Sequence, residues 1–531
     1  MDQQQKPLVH WADMTADRIC RQLGDKQSFT VASGITPSGT VHFGNFREVI
    51  TVDFVARALR DRGKDVRFIF SWDDYDTFRK IPKNMPEQEK LEKFLFQPIV
   101  DTPDPYGKEE SYAAHHEKAF EAQLEKVGIS VEPLYQSGHY RAGDYKEGIK
   151  TALNKCEEIK TILNQFRKEP LAADWLPVSV YCAHCNTDNK VIEKKWDGEN
   201  LSYTCGNCDH KGSENLQETS RLKLPWRVDW PMRWAQEKVD FEPGGKDHSS
   251  QGGSFSTAKD IVKLFDWQAP IYLQYDFVAI KGGGGKMSSS SGEVVTVNDV
   301  LKVYEPEMVR WIFASYKSNV DFSVSFDLDV IKTYEDFDRQ ERLAFGQETG
   351  NEKKVNMAKR VYELSQIEKL PEEMPFQPSF RHLTNVLQIN DGDMTAAKDY
   401  YRDQIKGDRD ERRFTQRAQC ALYWLENFAP DDFKFAINKQ APKIELSETQ
   451  KRFISQVAVI LDTDSASPAT QGDQELHEAL YEVMHSLEQK PMDVFPLCYS
   501  ILINKEKGPK LAGFIRTIGT EKVAQLFKGV L

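Results

Sequence analysis

Four cysteines fall as two close pairs, Cys182-Ala183-His184-Cys185 and Cys205-Gly206-Asn207-Cys208, with 19 residues between the pairs. Two C-x-x-C knuckles can close a tetrahedron of thiolates around one zinc ion, and little apolar sequence surrounds them to build a core instead. Cys182, Cys185, Cys205 and Cys208 are therefore expected to hold a structural Zn2+, since protein would close all four positions. The alternatives are four unligated thiols, a ligand role for His184, or a redox pair. A second stretch runs Lys281-Gly282-Gly283-Gly284-Gly285-Lys286-Met287-Ser288-Ser289-Ser290-Ser291-Gly292. Its glycines let the backbone approach a ligand closely, and a lysine beside several hydroxyls suits a polyphosphate. The Gly-x-x-x-x-Gly-Lys-Ser order of a P-loop is absent, and the plain alternative is a flexible linker. The third candidate is the turn Thr36 to Asn45. There His42 and Asn45 stand on glycines at a helix start, where side chains and the helix dipole together favour phosphate. Taken singly, His42 reads as well as a cap or core residue.

These residues need elements to position them. Gln27 to Gly34 reads as a short buried strand. Val49, Ile50, Phe54, Val55, Ala58 and Leu59 then recur at helical spacing up to a stop near Asp61-Arg62-Gly63, and Asp65 to Trp72 forms a second strand ending in acids. Strand, glycine turn, helix and strand make a βαβ unit, which predicts a parallel sheet with its ligands at the strand carboxyl ends. The Gly34–Asn45 loop and the run Asp73-Asp74-Tyr75-Asp76 should then share one crevice. Residues 82 to 112, with five prolines among charges, read as a surface excursion. The α/β pattern returns at Pro270 to Ile280, a predicted strand, so the cysteine module is an insertion. Beyond about residue 298 helical patterns take over, as in Glu305–Tyr316 and Glu411–Phe428, and the C-terminal part is expected to be all helical. Connections are expected around Pro371–Pro378 and Asp464–Gln474.

At 531 residues the chain calls for several domains. With 40% hydrophobic and 29% charged residues it is neither a disordered polymer nor a collagen-like repeat. The formal charge of −12 argues against a surface that grips nucleic acid or lipid everywhere, while leaving room for a local basic face. Eight cysteines are too sparse for a disulfide scaffold. No apolar run approaches the roughly 18 residues of a membrane span, and the N-terminus lacks a signal-peptide core, so a cytoplasmic, membrane-free location is expected.

Read in order, Pro37-Ser38-Gly39-Thr40-Val41-His42-Phe43-Gly44-Asn45 and Lys286-Met287-Ser288-Ser289-Ser290 resemble the HIGH and KMSKS signatures of class I aminoacyl-tRNA synthetases. More narrowly, the chain is similar to the class I lysyl-tRNA synthetases. That likeness rests on Ser33-Gly34-Ile35-Thr36-Pro37-Ser38-Gly39, Ser71-Trp72-Asp73-Asp74-Tyr75-Asp76, Trp226 to Trp234, Gly244-Gly245-Lys246-Asp247-His248 and the closing Gly508-Pro509-Lys510-Leu511-Ala512. Asn45 replaces the second His of HIGH, and Ser289 replaces the second Lys of KMSKS, which leaves Lys286, with Lys281 close by, to handle charge.

The resemblance implies an α/β fold, a Rossmann-type parallel sheet with a zinc-ribbon insertion followed by an all-α tRNA-binding region. Residues 1–90 and 226–297 would be the halves of the catalytic domain. The inserted region 91–225 would carry the zinc module at 180–210, with a helical stem-contact region at 298–385 and an anticodon-binding region at 386–531. It also implies activation of lysine by ATP, with Mg2+ arriving on the ATP, then transfer to tRNA(Lys) by a chain expected to be monomeric. His42, Asn45, Lys286, Ser288 and Ser289 would be catalytic, and Pro37, Ser38, Gly39, Gly44 and Met287 would help hold ATP. Because an ammonium in a pocket needs an opposite charge, Asp73, Asp74 and Asp76 are its expected partners, with Gly34, Thr36, Trp226, His248 and Tyr275 around the rest of the lysine. The alternatives are a glutamyl-type synthetase, which would want a basic pocket, a non-catalytic tRNA-binding relative, and a nucleotidyltransferase that does not use tRNA.

Overall fold

The computed structural model describes residues 9–24, 26–282, 294–462 and 472–531. Its contacts divide the chain into two compact units. The first comprises Met1–Leu301, Pro306–Ser325 and Gln340–Leu370, and the second Lys302–Glu305, Phe326–Arg339 and Pro371–Leu531.

The first unit is built on a parallel sheet. Strand β1 (Ser28–Ile35) and strand β2 (Asp65–Trp72) pair residue for residue, Ser28 beside Asp65 and Ile35 beside Trp72. Helix α1 (Phe43–Arg60) makes the crossover. Strand β3 (Glu132–Tyr135) extends the sheet beyond β2, whereas β4 (Phe241–Gly245) and β5 (Ile271–Tyr275) lie beyond β1, giving the order β5-β4-β1-β2-β3. The winding therefore reverses between β1 and β4. Ligand crevices of open α/β sheets form at such a reversal, because the loops leaving the two strands diverge there. Helix α1 is buried nearly all round, from Phe43 and Phe46 through Val49, Ile50, Phe54 and Leu59, so it is a core element whose start is held still. Its N-terminus carries a reciprocal cap: Asn45 N–H donates to His42 Nδ1 at 3.2 Å, and His42 N–H donates to Asn45 Oδ1 at 3.3 Å.

The chain between β3 and β4 contains the cysteine module, a three-stranded antiparallel sheet of Val191–Trp196, Asn200–Cys205 and Lys211–Asn215. Two expectations change. Pro270 to Ile280 is not one strand, because after β5 the Asp276 N–H turns aside to the Ser318 carbonyl. A separate strand, Val278–Ile280, then pairs in parallel with Phe322–Val324. That second segment, three residues long, lies in the stretch expected to be helical and is too short to show a period of two.

All regular elements among the described residues of the second unit are helical. The core is lined by Phe453, Val457, Leu476, Leu480, Val494 and Ile515. Arg417, fully buried, is matched by Glu305 at 2.6 Å and Asp338 at 2.9 Å, the pairing that a charge needs inside an apolar core.

Candidate active site

A cleft of about 450 Å3 opens at the carboxyl ends of β1 and β4. The turn after β1 supplies Thr36, Ser38 and His42; α1 adds Gly44, Asn45 and Glu48, and Trp226, His248 and Tyr275 close the far side. Gly34 forms part of the floor. A Cβ there would come within 2.8 Å of the Ser71 carbonyl oxygen on β2, so the strand contact itself excludes a side chain. Because His42 Nδ1 accepts the cap hydrogen bond, the neutral ring carries its proton on Nε2. The helix start thus presents a donor and the positive end of the dipole together.

The carboxyl at the centre of the cleft belongs to Glu48. One carboxyl oxygen accepts from Ser33 Oγ at 3.0 Å and from the Gly34 N–H at 3.1 Å; the other accepts from the Tyr275 hydroxyl at 2.7 Å. Burial pushes Glu48 above the usual carboxylate range, against these three hydrogen bonds. No Lys or Arg pairs with it among the described residues. A carboxylate accepts about four hydrogen bonds, so one place suits an incoming cation.

The expected acids behave differently. Asp73 is buried against Arg233 at 2.6 Å, and Asp76 meets the buried Lys223 at 2.8 Å. Both cations also flank Asp229, at 3.4 Å for Arg233 and 3.3 Å for Lys223. Burial would lower the Arg233 pKa, yet Asp73 and Asp229 hold it well above its ordinary value. Asp73 and Asp76 line the cleft as halves of this internal chain of charges; Asp76 also accepts from Thr36 Oγ1 at 3.1 Å. Asp74 does not reach the cleft. It accepts both the N–H and the hydroxyl of Ser137, and burial lifts its pKa to about 6. The expectation of three available carboxylates is corrected accordingly: the turn after the strand places Asp73 and Asp76 at the cleft and Asp74 away from it, and sequence does not reveal which cations fold in beside them.

Of the other expected residues, Gly34, Thr36, Ser38, His42, Gly44, Asn45, Trp226, His248 and Tyr275 come together at the cleft. Pro37 and Gly39 are buried within the turn. Lys286, Met287, Ser288 and Ser289 lie outside the described residues. Sequence reasoning missed Glu48, Lys223, Asp229 and Arg233. Glu48 was findable, since it follows Asn45 by three positions and so shares its face of α1.

The four cysteine sulfurs lie within 4.8 Å of one another. Cys182 and Cys208 are 3.7 Å apart, and Cys185 and Cys205 3.6 Å. Both separations far exceed a disulfide bond and match the edge of about 3.8 Å that a tetrahedron with zinc–sulfur bonds of about 2.3 Å requires. The donor set and its spacing fit Zn2+.

A family model described as tRNA synthetases class I (K) matches residues 9–368. Lysine–tRNA ligases from Borreliella burgdorferi and Treponema pallidum are each 46% identical, covering 98% of this chain and 98% of their own. The lysine–tRNA ligase of Thermococcus kodakarensis is 41% identical over 97% of this chain and 98% of its own. Among solved structures, a glutamate tRNA ligase from Elizabethkingia meningosepticum aligns over 95% of this chain and 99% of its own, with 13% identity and a TM-score of 0.46. A family model spanning more than half of the chain, and relatives above 40% identical along nearly all of it, establish that the chain belongs to the class I lysyl-tRNA synthetases.

Proposed function

We infer that the cleft joins lysine to ATP and that the chain then loads the activated lysine onto the 3′-terminal adenosine of tRNA(Lys). The chain is a lysine–tRNA ligase, and the observation that carries the assignment of roles is the position of Glu48. An unpaired carboxylate stands one helical turn from the phosphate-binding start of α1, so one short substrate can meet both.

In this reading the lysine side-chain ammonium is the fourth donor to Glu48, with Tyr275 beside it and Trp226 and His248 along the stem. The substrate carboxylate, already ionised at neutral pH, attacks the α-phosphorus and pyrophosphate leaves, so no protein nucleophile is needed. Catalysis rests on orientation and on stabilising charge that grows on the phosphates. His42 Nε2, the Asn45 side chain and the positive end of the helix dipole serve that charge, with Ser38 and Gly44 bordering the nucleotide. Lys286, Ser288 and Ser289 act on the same oxygens through their likeness to the KMSKS signature. Mg2+ enters with ATP. The chain of Asp76, Lys223, Asp229, Arg233 and Asp73 keeps the walls rigid and nearly neutral, which leaves Glu48 as the charge that selects a cationic side chain.

Cys182, Cys185, Cys205 and Cys208 hold a structural zinc ion whose chemistry is to cross-link the inserted module. The helical second unit reads tRNA, with single-stranded anticodon bases stacked on aromatic side chains. Among the described residues no helix is long and apolar enough to cross a membrane, which supports a cytoplasmic enzyme, and the monomer is the working unit.

The test is ATP–pyrophosphate exchange with each amino acid, run with and without tRNA. Lysine should be the preferred substrate. Exchange driven by glutamate in place of lysine would overturn the assignment.

A further inference from the structure

Behind the cleft lies a smaller cavity of about 80 Å3, which shares Gly34, Glu48, Trp226 and His248 with it. It holds a few water molecules or a short alkyl chain, and no nucleotide. Its far wall is a ladder of tryptophans from helix α2 (Trp226–Glu237), spaced four residues apart so that they share one face. Trp226 and Trp230 stack at 5.0 Å with planes 14° apart, and Trp230 meets Trp234 at 4.6 Å. A single residue of β4 holds two of the three rings. Glu242, buried, accepts from Trp230 Nε1 at 3.0 Å with one carboxyl oxygen and from Trp234 Nε1 at 2.5 Å with the other.

We propose that Glu242 is a positioning residue that sets which amino-acid side chain the site accepts, by fixing Trp230 and Trp234 as the end wall of this cavity. The inference rests on the lysine-activating reading of the cleft. Each indole N–H is buried and needs an acceptor, so each ring plane follows the carboxyl oxygen it bonds to. Two rings locked by one carboxylate move together or not at all. The carboxylate is itself held in place: it stands on β4, which lies between β1 and the edge strand β5, and Glu242 pairs in register with Tyr272 of β5. Burial lifts its pKa to about 7, so Glu242 is retained at a cost that an apolar residue would avoid. A role limited to packing would be served by a leucine and a phenylalanine pair.

Glu242→Gln provides the test. Glutamine keeps one acceptor and turns its amide N–H2 toward the second indole N–H, which forces one ring to move. In full-length protein with tRNA present, the lysine KM should rise about tenfold or more, the scale of one mispaired buried polar group. The KM for ATP and kcat should stay within about threefold, and preference for lysine over ornithine and arginine should fall by about tenfold. Adding Trp234→Phe removes the clashing donor and should restore the lysine KM toward that of Trp234→Phe alone, a coupling that independent sites do not show. Should the Glu242→Gln chain not fold, Trp234→Phe by itself carries the comparison and should weaken lysine selectivity in the same sense. A folded Glu242→Gln enzyme with wild-type lysine KM and selectivity, or a KM for ATP that rises in step with lysine, overturns the proposal. Wild-type protein without lysine-dependent exchange would instead overturn the reading of the cleft.

Discussion

At the scale of single residues, charge pairing decides which acids are available to a substrate. Asp73 and Asp76 already face Arg233 and Lys223, and Asp74 is bound to Ser137, whereas Glu48 receives only neutral donors. Glu48→Gln should therefore lower kcat/KM for lysine by a factor of about thirty or more, equivalent to about 2 kcal/mol or more for a desolvated ammonium that loses its partner. Asp74→Asn should stay within about threefold. Steady-state exchange kinetics on the two variants separate these outcomes, and a larger effect at Asp74 would refute the assignment. The Tyr275 hydroxyl also donates to Glu48, so it acts through the acid as well as forming a wall.

At the scale of elements, the helix Tyr112–Lys126 packs a carboxyl against the sheet without matching it. Glu117 is buried, and its Oε1 has no hydrogen-bond partner. Burial, with Asp74 and Glu121 nearby, raises its pKa to about 8. A carboxyl with a raised folded pKa binds its proton more tightly in the native state, so between about pH 4.5 and 8 stability falls as pH rises. Glu117→Gln should remove that slope. Thermal unfolding should show a gain of roughly 1–3 kcal/mol at pH 8 and almost none near pH 4.5; an equal gain at both would place the effect elsewhere. The same scale shows what was readable beforehand. The β1–α1–β2 unit follows from a short buried strand run, helical spacing from Val49 to Leu59 and a second strand run ending in acids, and β2 has the predicted ends. Phe322–Val324 was not readable, and neither was the break that makes Val278–Ile280 a strand separate from Ile271–Tyr275, because three-residue strands take their existence from pairing rather than from pattern.

At the scale of the whole molecule, the inserted module is tied in by packing as well as by its cysteines. Its strands bury Leu201, Tyr203 and Cys205 in a core shared with Tyr140, Ile149 and Val228, while Ile192 is half exposed, so a metal cross-link through the four cysteines would add to the order that this packing supplies. Freshly purified protein should contain about one zinc per chain, and Cys205→Ser should bring that well below half with loss of protease resistance confined to residues 180–215. Metal analysis with limited proteolysis checks both, and a zinc-free module that resists cleavage would contradict the assignment.

The sequence by itself determined the chemistry that depends on local order: the two cysteine knuckles, the capped turn at His42 and Asn45, the parallel βαβ unit and the helical C-terminal half. Each is written in neighbouring residues, whose spacing sets which side chains share a face or a turn. Only the tertiary structure decided which charges remain for a substrate. Arg233 lies 160 positions from Asp73 and Tyr275 lies 227 from Glu48, and the strand order that brings them together arises from sheet packing across the inserted region. The pKa of a buried acid is likewise a property of its surroundings, and those surroundings exist only after the chain has folded.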